Sequence, residues 1–243
     1  MHGPAGEGKT FQCQAVLDEV GVDVVLVSGG QMEDRDAGAP AALVRSSYKK
    51  ASDVRRGLHG RARAAVVLIN DLDAAVGDWG DLVQYTVNRQ TVLGQMMHLA
   101  DYPHDVEGEW VHRSAIIVTG NDFTKLYQPI VRVGRMALFE WTPLPHEKAA
   151  IVGSIFPELP DADCLELVRR FPSQPTAFFA QLRHGLREDV LWQYICKRGA
   201  QAAIADLVGG RAPVIRDTIT LENLTAAASA IEDARALKNH LEP

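Results

Sequence analysis

The chain has 243 residues, of which 47% are hydrophobic and 23% charged, and its formal net charge is -6. That is a globular composition with enough apolar material for a sizeable core, and the acidic balance argues against a protein whose main task is to coat nucleic acid. Three widely spaced cysteines (Cys13, Cys164, Cys196) fit reduced thiols better than a disulfide frame, and no apolar run approaches the ~18 residues of a membrane helix, so we expect a cytoplasmic protein without signal or transit peptide and without nucleic-acid or membrane partner.

The first ten residues carry the strongest local pattern. Gly3, Pro4, Ala5, Gly6, Glu7, Gly8, Lys9 and Thr10 spell G-x-x-x-x-G-K-[ST]. In such a loop the glycines let backbone N–H groups turn in around phosphate oxygens, the lysine brings a point charge to the terminal phosphates, and the hydroxyl can ligate Mg²⁺. A helix over 11–20 adds its positive N-terminal end. The pattern therefore implies ATP and Mg²⁺ as ligands, with Thr10 on the metal. A loop of this kind should leave a buried strand, yet only two residues precede Gly3.

Further along, the β-branched run 22–27 reads as a parallel strand buried on both faces. The polar stretch 31–38 reads as a loop, and Pro40 opens a helix to about 56. That helix and its continuation carry Arg45, Lys49, Lys50, Arg55, Arg56, Arg61 and Arg63, for which a solvated face outweighs a binding patch. The run 64–69 is a second buried strand and leads straight into Asn70-Asp71-Leu72-Asp73. Acidic residues at the carboxyl end of a parallel strand stand where ligands bind in open α/β sheets, so Asp71 and Asp73 could hold Mg²⁺ or its waters and polarise an attacking water.

After a loop at 77–82 containing Trp79, residues 83–100 read as a long helix, in which Met96 and Met97 fill core. A polar excursion over 104–113 leads to a third strand, 115–119, ending in Gly120-Asn121-Asp122. Residues 126–136 are broken by Pro129 and Gly134 and present Arg132 and Arg135 three residues apart. A final strand is expected at 137–141. Strands alternating with helices make this an α/β domain with a parallel sheet. Past Pro143 and Pro145 the chain reads as helices alone, at about 146–155, 161–170, 175–197, 200–208 and 220–241. The expected organisation is thus an α/β nucleotide-binding domain over 1–142 and a smaller all-helical domain over 143–243.

The order of these parts resembles the AAA+ ATPases, and the wording is close to Rubisco activases of the plant and cyanobacterial type. The resembling segments are collinear: 2–13 around the phosphate loop, 68–74 (Leu68 to Ala74), 84–88 (Gln84 to Asn88), 118–123 (Val118 to Phe123), Leu126-Tyr127, 132–136 (Arg132 to Met136) and 178–183 (Phe178 to Arg183). Weaker similarity continues to about Leu237. The resemblance implies a P-loop AAA+ core followed by a helical lid. It implies that Asn121 is the sensor of the γ-phosphate or attacking water, that Arg132 and Arg135 are arginine fingers reaching a neighbouring subunit, and that Arg183 is the lid's sensor arginine. The family usually places Asp-Glu at the end of its acidic strand; here Asn70 and Asp71 stand there, so Asp71 is the carboxylate left for metal and water. The activases carry another arginine two residues after the lid's sensor, where this chain has Gly185.

Fingers acting in trans imply a homo-oligomeric ring, by family habit a hexamer, with 32–38 and 77–82 as candidate pore loops. The function implied is an ATP-driven remodelling chaperone that releases inhibitory sugar phosphates from Rubisco. Three alternatives stand beside it: the same ring serving another client, a P-loop small-molecule phosphotransferase, and a non-catalytic nucleotide-binding scaffold. In AAA+ folds the strand feeding the phosphate loop lies between those ending here at Asn121 and Trp141, so an upstream apolar strand, absent through truncation or a misassigned start, is also expected.

Overall fold

In chain order the elements are α1 (Lys9–Glu19), β1 (Asp23–Ser28), α2 (Ala39–Arg56), β2 (Ala65–Asn70), α3 (Leu72–Val76), α4 (Thr86–Asp101), β3 (Asp105–Val106), β4 (Glu109–Trp110), β5 (Ala115–Val118), α5 (Gln128–Val131), α6 (Pro145–Ile155), α7 (Asp161–Arg170), α8 (Thr176–Arg198), α9 (Ala200–Val208) and α10 (Leu221–Asn239). The structure is a computed structural model and describes residues 1–32, 34–57, 62–78, 86–211 and 219–239. Arg61, Trp79, Gln84 and Tyr85, with the rest of 79–85, lie outside the described residues. The chain divides into two units, Met1–Thr142 and Pro143–Pro243.

The first unit is built on a parallel sheet in the order β1-β2-β5, with Val24 opposite Val66 and Val67 opposite Ile116. The central strand β2 is buried along Ala65 to Ile69, as a strand with neighbours on both sides and covered faces must be. Its apolar residues meet a stripe of α2 formed by Val44, Tyr48 and Ala51, spaced for one face of a helix, together with Val92, Leu93, Met96 and Leu99 of α4. Tyr48 is buried with its hydroxyl satisfied: it donates to the Pro103 carbonyl at 2.8 Å and accepts from the Ser114 N–H at 3.2 Å. This pins the chain entering β5 to α2, so the carboxyl ends of β2 and β5 come out side by side.

Two expectations change. The excursion 104–113 contains the antiparallel pair β3 and β4, which two-residue strands of mixed polarity do not announce by alternation. The strand expected at 137–141 is reduced to a single bridge. Among the described residues only His2 pairs with it: His2 N–H donates to the Phe139 carbonyl at 2.9 Å, and Trp141 N–H donates to the His2 carbonyl at 2.7 Å. His2 also bridges Gly120 in parallel, and one partner residue makes a bridge rather than a ladder. A groove of about 590 Å³ lies along the β5 edge, lined by Ile116, Val118, Met136, Ala137 and Phe139 among others.

Among its described residues the second unit holds helices joined by short turns and no strand. Its core gathers Phe156, Leu167, Phe178, Phe179, Leu182 and Leu224, all at most 2% exposed, with the Phe178 and Phe179 rings edge to face at 5.4 Å. Phe179→Ala should cost about 3–5 kcal/mol, the usual loss for a fully buried phenylalanine that leaves a cavity. Trp192→Ala, at an exposed position, should shift stability by no more than about 0.5 kcal/mol. Urea unfolding followed by circular dichroism checks both; equal midpoints for the two variants would deny this core.

Candidate nucleotide site

Gly8 takes a left-handed conformation (φ 74°) as the N-cap of α1, which only glycine adopts without strain, and the first turn of α1 carries no acidic side chain. The N-terminal partial charge of the helix is thus left uncompensated by its own residues. Lys9 follows at once and folds back under the loop, 6% exposed. Its Nζ donates to the carbonyls of Gly3 (2.9 Å) and Pro4 (2.8 Å) and to Oδ1 of Asn121 (2.8 Å). Burial pulls the Lys9 ammonium below its ordinary value, and the carboxylates of Asp71, Asp73 and Glu7 oppose that pull.

Thr10, Asn70 and Thr119 meet beside it. Oδ1 of Asn70 accepts from the hydroxyls of Thr10 and Thr119, the latter at 2.6 Å, and Nδ2 of Asn70 donates to Oδ2 of Asp71 at 3.1 Å. The Thr119 hydroxyl accepts from the Asp71 N–H at 3.3 Å, and its backbone ties β5 to the start of α3 through Leu72 N–H at 2.9 Å. Asp71 itself sits at φ 54°, ψ 50° as the N-cap of α3. Aspartate tolerates this region better than most residues, and its appearance at a strand end marks a held conformation.

The sequence reading singled out Lys9, Thr10, Asp71 and, through the resemblance, Asn121, and the fold brings these four to one edge of the sheet. Asn70 was placed beside Asp71 at the end of the acidic strand without a role, and Thr119 was missed; the two form the hub of that edge, and the signal was a polar residue closing each of two adjacent strands. Asp73 was read with Asp71 as a second water or metal carboxylate, and that reading is corrected. Asp73 is fully buried, and its Oδ2 accepts the backbone N–H groups of Asn121 and Asp122, both at 2.8 Å. The left-handed turn at Asp71 ends the strand, and Asp73 falls in the first turn of α3 rather than at the strand end.

The two arginines of 126–136 differ. Arg132 is exposed, beside a fully exposed Val133. Arg135 forks onto Asp101 at the end of α4, with Nε to Oδ1 at 2.9 Å, and also donates to the Pro129 carbonyl at 3.0 Å. The pair raises the Arg135 guanidinium and holds the Asp101 carboxyl below the ordinary carboxylate range. Arg183 belongs to the second unit, where it forks onto Glu158 at 2.7 and 2.8 Å and lies 5.7 Å from the Phe156 ring centre. The loop 34–38 is tied to α4 by the buried Asn88, whose Oδ1 accepts from Gly38 N–H at 2.8 Å and whose Nδ2 donates to the Asp34 carbonyl at 2.7 Å.

ATP with Mg²⁺ fits this donor set. A buried ammonium satisfied by three neutral oxygens can exchange them for phosphate oxygens and regain the counter-charge that burial denies it. Thr10, Asn70 and Asp71 present hard oxygen ligands of the kind Mg²⁺ takes. Among the described residues no helix is long and apolar enough to cross a membrane.

Residues 1–144 match the profile of the ATPase family associated with various cellular activities (AAA). The chain is 43% identical over 207 residues to the ribulose bisphosphate carboxylase/oxygenase activase of Anabaena sp., covering 82% of this chain and 49% of that protein. It is 36% identical over 240 residues to the chloroplastic activase of Phaseolus vulgaris, covering 94% and 54%, and 36% identical over 228 residues to that of Chlamydomonas reinhardtii, covering 90% and 55%. The chain spans about half the length of these relatives. It therefore belongs to the AAA family of ATPases, and over most of its length it is similar to activases of ribulose bisphosphate carboxylase/oxygenase.

Proposed function

We propose that this chain is an ATP-hydrolysing remodelling subunit whose client is ribulose bisphosphate carboxylase/oxygenase, acting in a homo-oligomeric ring, by family habit a hexamer, to release inhibitory sugar phosphates. The observation that carries the ATPase half is the buried Lys9 ammonium held by neutral oxygens beside Asn121. The client half is supported by the 36–43% identity to activases.

Bound ATP with Mg²⁺ supplies the scissile phosphoanhydride and a cation that offsets its charge. The loop from Gly3 to Gly8 and the start of α1 hold phosphate through backbone N–H groups, and Lys9 places a positive charge on the transferring group. The Thr10 hydroxyl and the Asp71 carboxylate are the proposed metal ligands, with the Asn70 amide oxygen beside them. Asp71 takes the proton of the attacking water, and the Asn121 carboxamide orients that water. Arg132 and Arg135 complete the site of the next subunit. The second unit serves as a lid in which Arg183 senses the nucleotide.

The test is to incubate the protein, ATP and Mg²⁺ with the inhibited carboxylase of the same organism, measuring carboxylase recovery and phosphate release together. Recovery that requires ATP is the expected result. Brisk hydrolysis without recovery would sink the client and leave a ring serving another protein; absence of hydrolysis by folded, ATP-bound protein would sink the ATPase.

A further inference from the structure

Asp73 is a fully buried carboxylate that the proposed chemistry leaves without a task. Burying such a charge is costly unless it is met by well-aimed donors, so its surroundings carry information. It stands in the first turn of α3, directly after the strand end that holds Asn70 and Asp71. Its Oδ2 accepts two successive backbone N–H groups, those of Asn121 and Asp122, each at 2.8 Å. Bonds of this kind to a charged acceptor are stronger than neutral ones and fix direction as well as distance.

The residue before them shows how closely the loop is drawn over the carboxylate. A Cβ on Gly120 would come within 2.4 Å of Asp73 Oδ1 and within 2.4 Å of the Phe123 ring. Position 120 thus has no room for a side chain between the Asp73 carboxylate and the Phe123 ring. On its outer side the same loop offers Oδ1 of Asn121 to Lys9 Nζ at 2.8 Å. One carboxylate therefore sets the backbone from which the candidate sensor side chain projects.

We propose that Asp73 is a positioning residue for hydrolysis: it clamps the Asn121 and Asp122 amides so that the Asn121 carboxamide stands at a fixed distance from Lys9 and from the terminal phosphate. The proposal rests on the reading of the site as an ATPase. It makes Asp73 act through Asn121, which separates it from a strut that merely holds the fold.

Two measurements test it. In the protein without nucleotide, Asp73→Ala should speed amide hydrogen exchange at Asn121 and Asp122 about tenfold, the loss of one hydrogen bond of ordinary strength, while leaving Val67 and Leu68 of β2 protected. Asp73→Asn keeps one acceptor oxygen, should fall between, and serves where the alanine variant does not fold. In hydrolysis, Asp73→Asn should lower kcat about tenfold with KM changed less than about twofold, the usual scale for a group that orients a functional residue. In an Asn121→Ala background the same substitution should change kcat less than about twofold, because the residue it positions is gone. Additive losses in the double variant, a matching loss of ATP affinity, or unchanged exchange would each overturn the proposal. Failure of the underlying ATPase reading looks different: the unsubstituted protein itself releases no phosphate.

Discussion

Lys9→Met is expected to weaken ATP binding about tenfold to a hundredfold and to lower kcat about 10²- to 10³-fold. Methionine keeps the aliphatic stem that packs beneath the loop but removes the ammonium. Hydrogen bonds to charged groups contribute roughly 1.5–3 kcal/mol each, and about 1.4 kcal/mol is a factor of ten in affinity. The larger loss falls on turnover, because charge builds on the phosphate oxygens in the transition state, where one preorganised donor is worth about 10²–10³ in rate. Fluorescent-nucleotide titration and phosphate release read the two effects separately.

The fold should survive this change. The three acceptors that Lys9 serves are neutral oxygens, and only the Gly3 carbonyl belongs to a buried residue, so its loss of a partner costs about 1–3 kcal/mol. A variant that melts within several degrees of the parent yet fails to bind ATP confirms a binding role. Unchanged affinity would mean that phosphate does not approach Lys9, and the reading of residues 3–10 would fall with it.

Legibility in the sequence followed the strength of local rules. The phosphate loop was readable because its spacing is fixed by backbone geometry, and β1, β2 and β5 were readable as continuous apolar runs bounded by polar residues; only β2 is buried along its length, whereas β1, expected to be buried on both faces, is an edge strand that leaves Leu26 51% exposed. The helices of the second unit were readable from their Pro and Gly punctuation. The hairpin of β3 and β4 was not, since its four strand residues carry no period. Asp73 was read from its place just past a strand end, a rule that does not tell which carboxylate faces the ligand and which turns into the core; the left-handed backbone at Asp71 cannot be seen in a string of letters. The hub at Thr119 and the fork of Arg135 on Asp101 join residues 49 and 34 positions away from their partners, and no local pattern encodes such pairings.

Arg132→Ala is expected to lower ATP turnover about 10³-fold while leaving nucleotide binding within about twofold, since a finger supplied by a neighbour acts on the transition state. Arg132 is exposed, whereas Arg135 is already forked onto Asp101 and the Pro129 carbonyl. Both are proposed as fingers, but Arg135 can reach a neighbour only by giving up Asp101. The two are separable by mixing subunits. In a ring assembled from equal amounts of Arg132→Ala and Asp71→Asn subunits, about a quarter of the interfaces pair an intact Asp71 with an intact Arg132, so about a quarter of the parental hydrolysis should return. If Arg135 also acts in trans, Arg135→Ala mixed with Asp71→Asn recovers to the same extent, and Asp101→Ala, which frees the guanidinium, leaves turnover at or above the parent. If Arg135 instead serves only to brace the 126–136 loop, Asp101→Ala loses as much as Arg135→Ala and the double variant loses no more. No recovery in either mixture, with rings shown to form, would mean that each subunit completes its own site.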